Sequence, residues 1–249
     1  MNELIDRIYE TRTVVGKNGD RHKLKAAIDP REGRFLYDTI HNDDGIINTL
    51  EVGCAYGLSS LHICAALKER PNASHIIIDP CQNDIFDGVG IRNLNESGIN
   101  FFELLEMKSE IALPALLEEK EGTVDLIFVD GWHTFDHTLL DCFYATRLLR
   151  QGGYLIVDDV SIPGVERVID YLKNYPCYEE CGSLSFNKPK SLKRNILKTL
   201  LSPLPQRTFQ ALLTPRTYRR IFEDQSLSMV ALKKVKQDER TWNWHNDSF

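Results

Sequence analysis

No stretch of the 249-residue chain approaches the about 20 consecutive apolar residues that a membrane-spanning helix needs, so no membrane span is expected. The amino terminus, MNELIDRIYETR, mixes charged with apolar residues from its first turn and lacks the apolar core of a secretory signal. The six cysteines, Cys54, Cys64, Cys81, Cys142, Cys177 and Cys181, are scattered without a CxxC pair, which removes zinc-ribbon and thioredoxin-like readings. Free thiols in a reducing cytoplasm are the expectation, and Cys177 and Cys181, the only close pair, are not expected to be bridged. Positive charge is not in excess either. A net charge of -6 argues against binding nucleic acid over the whole surface, while a local basic patch stays open.

The rest is ordinary in amount and informative in order. With 42% hydrophobic and 27% charged residues, the composition is that of a soluble globular protein. From about residue 47 onward, short apolar runs alternate with amphipathic stretches. INTLEVG, SHIIID, FFELLEM, VDLIFVD and GYLIVDD read as strands. The second, fourth and fifth are almost continuously apolar, as strands covered on both faces are. LSSLHICAALKER, GVGIRNLNES, EIALPALLEEK, FDHTLLDCFYATRLLR and PGVERVIDYLKNY read as the helices between and after them. This alternation predicts an α/β fold: a doubly wound, mostly parallel sheet with helices on both faces. Ligands in such sheets bind outside the carboxyl ends of the strands.

The segment from 185 to 224 differs. Nine of its residues are Lys or Arg, its only acids are Glu223 and Asp224, and four prolines divide it. LKRNILKTLL and QRTFQALL look like short amphipathic helices, and SLSMVALKKV reads as the last strand. The segment is expected to be an insertion before that strand within a single domain spanning 1–249. A solvated lid or a dimer contact is the reading favoured by composition; a basic surface for an anionic substrate or a membrane face is the alternative.

Two features carry chemistry. LEVGCAYGLSS, residues 50–60, follows a strand and opens a helix, with Gly53 and Gly57 in the turn. It has no lysine followed by Ser or Thr, so it is not a P-loop, and it lacks the third glycine of the dinucleotide fingerprint. Downstream, IIID delivers Asp79 where a ribose-binding acid of a doubly wound fold belongs; the alternative is a residue that caps the loop before Pro80. The second feature is VDGWHTFDH, in which a buried-looking strand delivers Asp130, followed by Trp132, His133 and His137. The next strand delivers Asp158 and Asp159. All these acids would lie at one edge of the sheet. Three crowded carboxylates without a cation raise one another's pKa values, so the group makes most sense around a metal.

Together, EVGCAYGLS, IIIDP, DLIFVDGWH and GGYLIVDDVSIPG resemble the class I S-adenosylmethionine-dependent methyltransferases. Within that superfamily they look most like the metal-assisted O-methyltransferases of catechol and caffeoyl-CoA type and like relatives that methylate sugars. The resemblance covers about residues 35–175 and the last strand. It implies a seven-stranded Rossmann-like sheet whose last strand is antiparallel. It implies that Glu51 and Gly53 approach the methionine part of the cofactor, that Gly57 belongs to the same cofactor-binding turn, and that Ser59 contacts the methionine carboxylate. Asp79 would hold the ribose hydroxyls, and Ser109 and Glu110 would contact adenine. Asp130, Asp158 and Asp159 fall on the metal ligands, with Asp130 also beside the cofactor. His133 falls on the catalytic base, which is lysine in the catechol type, and Asp159 stands where those enzymes usually carry Asn.

The expected activity is S-adenosylmethionine-dependent O-methylation of a small hydroxylated acceptor, a sugar or secondary metabolite, with Mg²⁺ assisting. A helical cap over residues 1–35 and the basic insertion are expected to build the acceptor pocket, and a homodimer is an option. His133 is either the base or a residue that bonds Asp130 at the helix start. His137 ranks behind it, and Trp132 stacks on a ligand or simply packs. The alternatives are a nicotinamide-dependent oxidoreductase on a similar fold and a non-catalytic S-adenosylmethionine-binding or scaffold protein.

Overall fold

The computed structural model describes residues 3–201 and 213–245. Chain order runs α1 (Glu3–Thr11), β1 (Thr13–Val15), β2 (Arg21–Lys23), α2 (Pro30–His41), β3 (Asn48–Val52), α3 (Leu58–Leu67), β4 (Ser74–Ile78), α4 (Val89–Glu96) and β5 (Phe102–Leu105). It continues with α5 (Ser109–Lys120), β6 (Val124–Val129), α6 (Phe135–Leu148), β7 (Leu149–Val157), α7 (Pro163–Leu172) and β8 (Tyr178–Asn187). The last described elements are α8 (Leu192–Leu201), α9 (Pro215–Phe222) and β9 (Gln225–Lys234). β1 and β2 form a small antiparallel ribbon. The other seven strands make one sheet in the order β5-β4-β3-β6-β7-β9-β8. Neighbours from β5 to β7 are parallel, and β9 runs antiparallel between β7 and β8. The doubly wound sheet with an antiparallel last strand is therefore the fold observed.

Alternation along the strands explains the two cores. On β6, Leu126 and Phe128 point to the layer of α1 to α4, while Val124, Ile127 and Val129 point to the layer of α5 to α7. A register irregularity between Val124 and Leu126 accounts for the break in strict period two. Every residue of β6 is buried, which is why its sequence reads as an apolar run interrupted only by Asp125. The six cysteines are free thiols. No described helix is long and apolar enough to cross a membrane.

The structure departs from the sequence reading at the β8 edge of the sheet and at α2. β8, YEECGSLSFN, is an edge strand with mostly exposed or half-buried residues, and the sequence pattern gave no strand there. It ends at Asn187, so the insertion expected from 185 begins at 188. Residue 35 falls inside α2, which opens with Asp29 as N-cap, Pro30 in the first turn and Glu32 closing a capping box. LKRNILKTLL forms α8, whereas QRTFQALL lies outside the described residues except for Leu213.

Candidate active site

β3 delivers the glycine loop. Gly53 has φ +89°, and a Cβ there would stand 2.2 Å from the backbone oxygen of Asp130. Only glycine lets the exits of β3 and β6 pass this closely. Gly57, at φ +79°, precedes α3, and its Cβ would meet the backbone of Gly90. Asp79 clasps the loop. Its carboxylate accepts hydrogen bonds from the Cys54 and Ala55 amides at 3.0 and 2.8 Å, from the Gln82 side chain at 3.0 Å and from the Cys81 amide at 2.7 Å. Asp79 therefore holds the loop in shape and also lines the cleft above it.

That cleft has a volume of about 1020 Å³, at the upper end of the roughly 300–1,000 Å³ of small-molecule sites, enough for a nucleoside and an acceptor side by side. Gly53, Ser59 and Asp79 line one half, which extends to Ser109 and Glu110 in the first turn of α5. Glu51 does not line it. Its side chain is fully buried beneath the loop, accepting from the Ser60 hydroxyl and lying 3.4 Å from His75 Nε2. The direct ligand contact expected of Glu51 is not available, because period two in β3 turns this residue to the α3 side. There it braces α3 and, through Ser60, approaches Cys54 Sγ at 3.4 Å.

The other half is acidic. Asp130 follows β6, and Asp158 and Asp159 follow β7, its parallel neighbour, so all three reach the same edge. His133 stands between two of them, with Nε2 3.3 Å from Asp130 Oδ1 and Nδ1 3.3 Å from Asp159 Oδ2. One donor atom from each of Asp130, His133 and Asp159 falls within a 4.8 Å cluster. Asp159 adopts φ +54°, a conformation that non-glycine residues adopt at a cost and that recurs at functional sites. Asp158 is more deeply buried and accepts from the Asp159 amide at 2.7 Å. Burial, then the charges of Asp130 and Glu32, pushes its pKa well above the carboxylate range. Burial also raises Asp130, against the opposing effect of the His133 hydrogen bond. His133 itself is raised, chiefly by its bond to Asp130. Asp130, Asp158, Asp159 and His133 are thus brought together; the tightest donor set contains His133 rather than Asp158.

Three contributors were not anticipated individually. Glu32 lines the cleft as a fourth carboxylate, accepting from the Asp29 amide and the Ser228 hydroxyl. The sequence DPRE signals a capped helix start, which was legible, but nothing in it points to the cleft. Lys25, Ala26, Ala27 and Ile28 form the wall beside the acids. Asp141 of α6 is buried below the Ser109 side, and burial pushes its carboxyl up to about 6. Among described residues, none from 185–224 lines the cleft. Trp132 is two-thirds exposed at the rim. His137 bonds the Thr134 hydroxyl at 2.9 Å at the start of α6.

Comparison with known proteins adds the following. Residues 50–160 match a family described as "Methyltransferase domain". Catechol O-methyltransferase B of Danio rerio is 29% identical over 165 residues, covering 65% of this chain and 60% of that protein's length. Catechol O-methyltransferase of Niastella koreensis is 26% identical over 164 residues, covering 65% and 68%. The O-methyltransferase from Bacillus cereus, solved in complex with SAH, superposes with a TM-score of 0.63 at 15% identity over 94% of this chain and 92% of that one. The O-methyltransferase TomG from Streptomyces achromogenes, solved with SAM, gives 0.62 at 17% identity over 94% and 91%.

Proposed function

We propose that this chain, whose residues 50–160 match a methyltransferase domain, is a class I S-adenosylmethionine-dependent enzyme that methylates a hydroxyl of a small acceptor, a sugar or secondary metabolite, with a divalent cation such as Mg²⁺ assisting. The observation that carries this reading is the Asp130–His133–Asp159 cluster, facing the glycine loop across one cleft.

Transfer from a sulfonium is an in-line displacement, so the site's main task is to hold the acceptor oxygen behind the methyl carbon. On the donor side, Gly53 borders the space for the methionine part, while Gly57, which does not line the cleft, shapes the loop from behind by letting it pack on Gly90. Ser59 meets the methionine carboxylate, and Asp79 reaches the ribose with lone pairs its loop contacts leave free. Ser109 and Glu110 border the adenine. Glu51 acts on this half only through Ser60 and α3.

On the acceptor side, the residues fit a cation. Asp130 and Asp159 present converging oxygens, Asp158 adds a third nearby acid, and Glu32 adds negative charge behind it. Such crowded carboxylates are costly without a positive partner. A bound divalent cation lowers the pKa of an acceptor hydroxyl and orients it. With Asp158 completing the ligand set, His133 need not ligate the cation, and the ring nitrogen facing Asp159 is the one placed to take the hydroxyl proton. Asp130 orients the ring through the other nitrogen. Residues 25–28 and Trp132 exclude water and shape the acceptor wall.

The test is calorimetric titration of S-adenosylhomocysteine into chelator-treated protein, repeated with Mg²⁺. Micromolar binding is expected, with a separate heat of Mg²⁺ binding that is lost in Asp130→Ala. Absence of binding in both conditions would overturn the cofactor assignment.

A further inference from the structure

The connection between β8 and β9 leaves and rejoins the sheet at the edge where the cleft opens. Asn187 pairs with Gln225 there, and Arg31, beside the cleft-lining Glu32, lies 3.8 Å over the Phe186 ring. From 188 to 222 this connection holds nine Lys and Arg residues and no acid, in a chain whose net charge is -6. Its described cations divide by side. The inner ones are tied down by ion pairs. Arg216 reaches Asp170 at 2.8 Å, Arg219 reaches Glu166 at 3.1 Å and Asp170 at 3.0 Å, and Arg220 reaches Glu166 at 2.9 Å, all on α7. Lys198 of α8 meets Asp224 at 2.7 Å, with Arg194 at 3.5 Å.

The outer side of α8 is the reverse of a solvated helix. Leu192, Ile196 and Leu200, spaced by four, form one stripe and are 77%, 52% and 69% exposed, with Leu197 beside it at 40%. Arg194 and Lys198 face inward, with side chains only 15% and 26% exposed. A helix that merely covers a surface in water buries its leucines and exposes its cations. Here ion pairs fasten the polar side to the body and turn the apolar side out, with exposed Lys193 on the same face and Lys190 just before it. Neither lysine forms an ion pair with a described residue.

We propose that this outward face of α8 docks the protein on an anionic lipid surface. An apolar stripe bordered by lysines, in a segment without acids, is the pattern of a helix lying in the interface plane. The leucines enter the acyl boundary and the lysines meet headgroup charge. A second copy of the chain fits less well, because it would bring two acid-free basic surfaces together. The acidic remainder of the molecule is repelled by the same surface, which orients the docked state. The docking helix belongs to the connection at the cleft's own edge of the sheet, the arrangement that suits an acceptor presented at a lipid surface. That last step rests on the proposed function; the docking itself does not.

The experiment is co-sedimentation of the full chain with vesicles of phosphatidylcholine, alone and with added phosphatidylglycerol, with the solution mass measured by light scattering. Binding to the phosphatidylglycerol vesicles, weakening as salt rises, is expected. Leu192→Ser combined with Ile196→Ser and Leu200→Ser should reduce it by about tenfold or more, with an unchanged thermal melt because the positions are exposed. Lys190→Glu with Lys193→Glu should reduce binding to the anionic vesicles selectively. Absent binding, or equal binding by the native and serine variants, would overturn the proposal. A dimer that dissociates in the serine variant, with no vesicle binding in the native protein, would assign the face to a second copy instead.

Discussion

Replacing Asp79 by Asn tests its clasp on the glycine loop and, separately, the ribose contact proposed for it. The carboxylate accepts three hydrogen bonds on one oxygen and one on the other. An asparagine keeps most by placing its oxygen toward Cys54, Ala55 and Gln82. Its NH₂ then faces the Cys81 amide, donor against donor. One stranded donor costs about 1–3 kcal/mol, and three charge-assisted bonds become ordinary ones. The expected loss of stability is about 2–4 kcal/mol, read from urea unfolding by linear extrapolation. S-adenosylhomocysteine affinity should fall about tenfold or more in folded Asp79→Asn protein, because the loop and the ribose acceptor are both weakened. A stability loss under about 0.5 kcal/mol would refute the clasp, since surface-like substitutions change so little. Lost stability with unchanged affinity would keep the clasp and refute the ribose contact.

Asp130→Ala is expected to abolish metal-stimulated turnover while S-adenosylhomocysteine affinity stays within about twofold; turnover indifferent to chelation in both proteins would remove the metal role. Gly53→Ala should destabilise by at least about 3 kcal/mol, because φ +89° is strained for an L-residue and the added carbon meets the Asp130 carbonyl at 2.2 Å. Urea unfolding measures this, and a loss below about 1 kcal/mol would mean that the two backbones separate freely. Asp141, pushed up to about 6 by burial, binds its proton more tightly folded than unfolded. Native stability therefore falls as pH rises from about 4 through about 6, by up to about 3 kcal/mol from this group. Asp141→Asn should remove that slope, so its stability relative to native protein rises across the window and levels off above it. Parallel urea curves at each pH would contradict the assignment.

The parallel strands were legible because both faces are buried. β6 reads VDLIFV with no polar interruption except Asp125, whose carboxylate accepts from the Ile47 and Asn48 amides at 2.9 and 2.7 Å. β8 was not legible for the opposite reason: an exposed edge strand containing Glu179, Glu180 and Gly182 carries no apolar pattern. Asp130, Asp158 and Asp159 could be placed on one edge from strand order alone, since parallel neighbours end together. Glu51 could not be assigned a face, because burial on both sides of β3 removes the polar alternation that reveals which way a side chain turns. Glu32 lies far from the acids in sequence and meets them only because α2 packs its first turn against β9 through Ser228. The basic count of 185–224 was legible too. Its neutralisation by Glu166 and Asp170 was not, since those acids sit on α7 and look like an ordinary solvated face.

The contact between Gly53 and the Asp130 carbonyl joins the two halves of the cleft by main chain alone. The separation between donor loop and acid cluster is thus a property of the backbone, indifferent to which side chains surround it. The cleft wall of residues 25–28 and Trp132 takes no part in that contact. On the proposed reading, substitutions there re-cut the acceptor's shape while the distance between the glycine loop and the acids is held constant. Such a joint lets the wall vary in shape and chemistry without moving the loop against the acids.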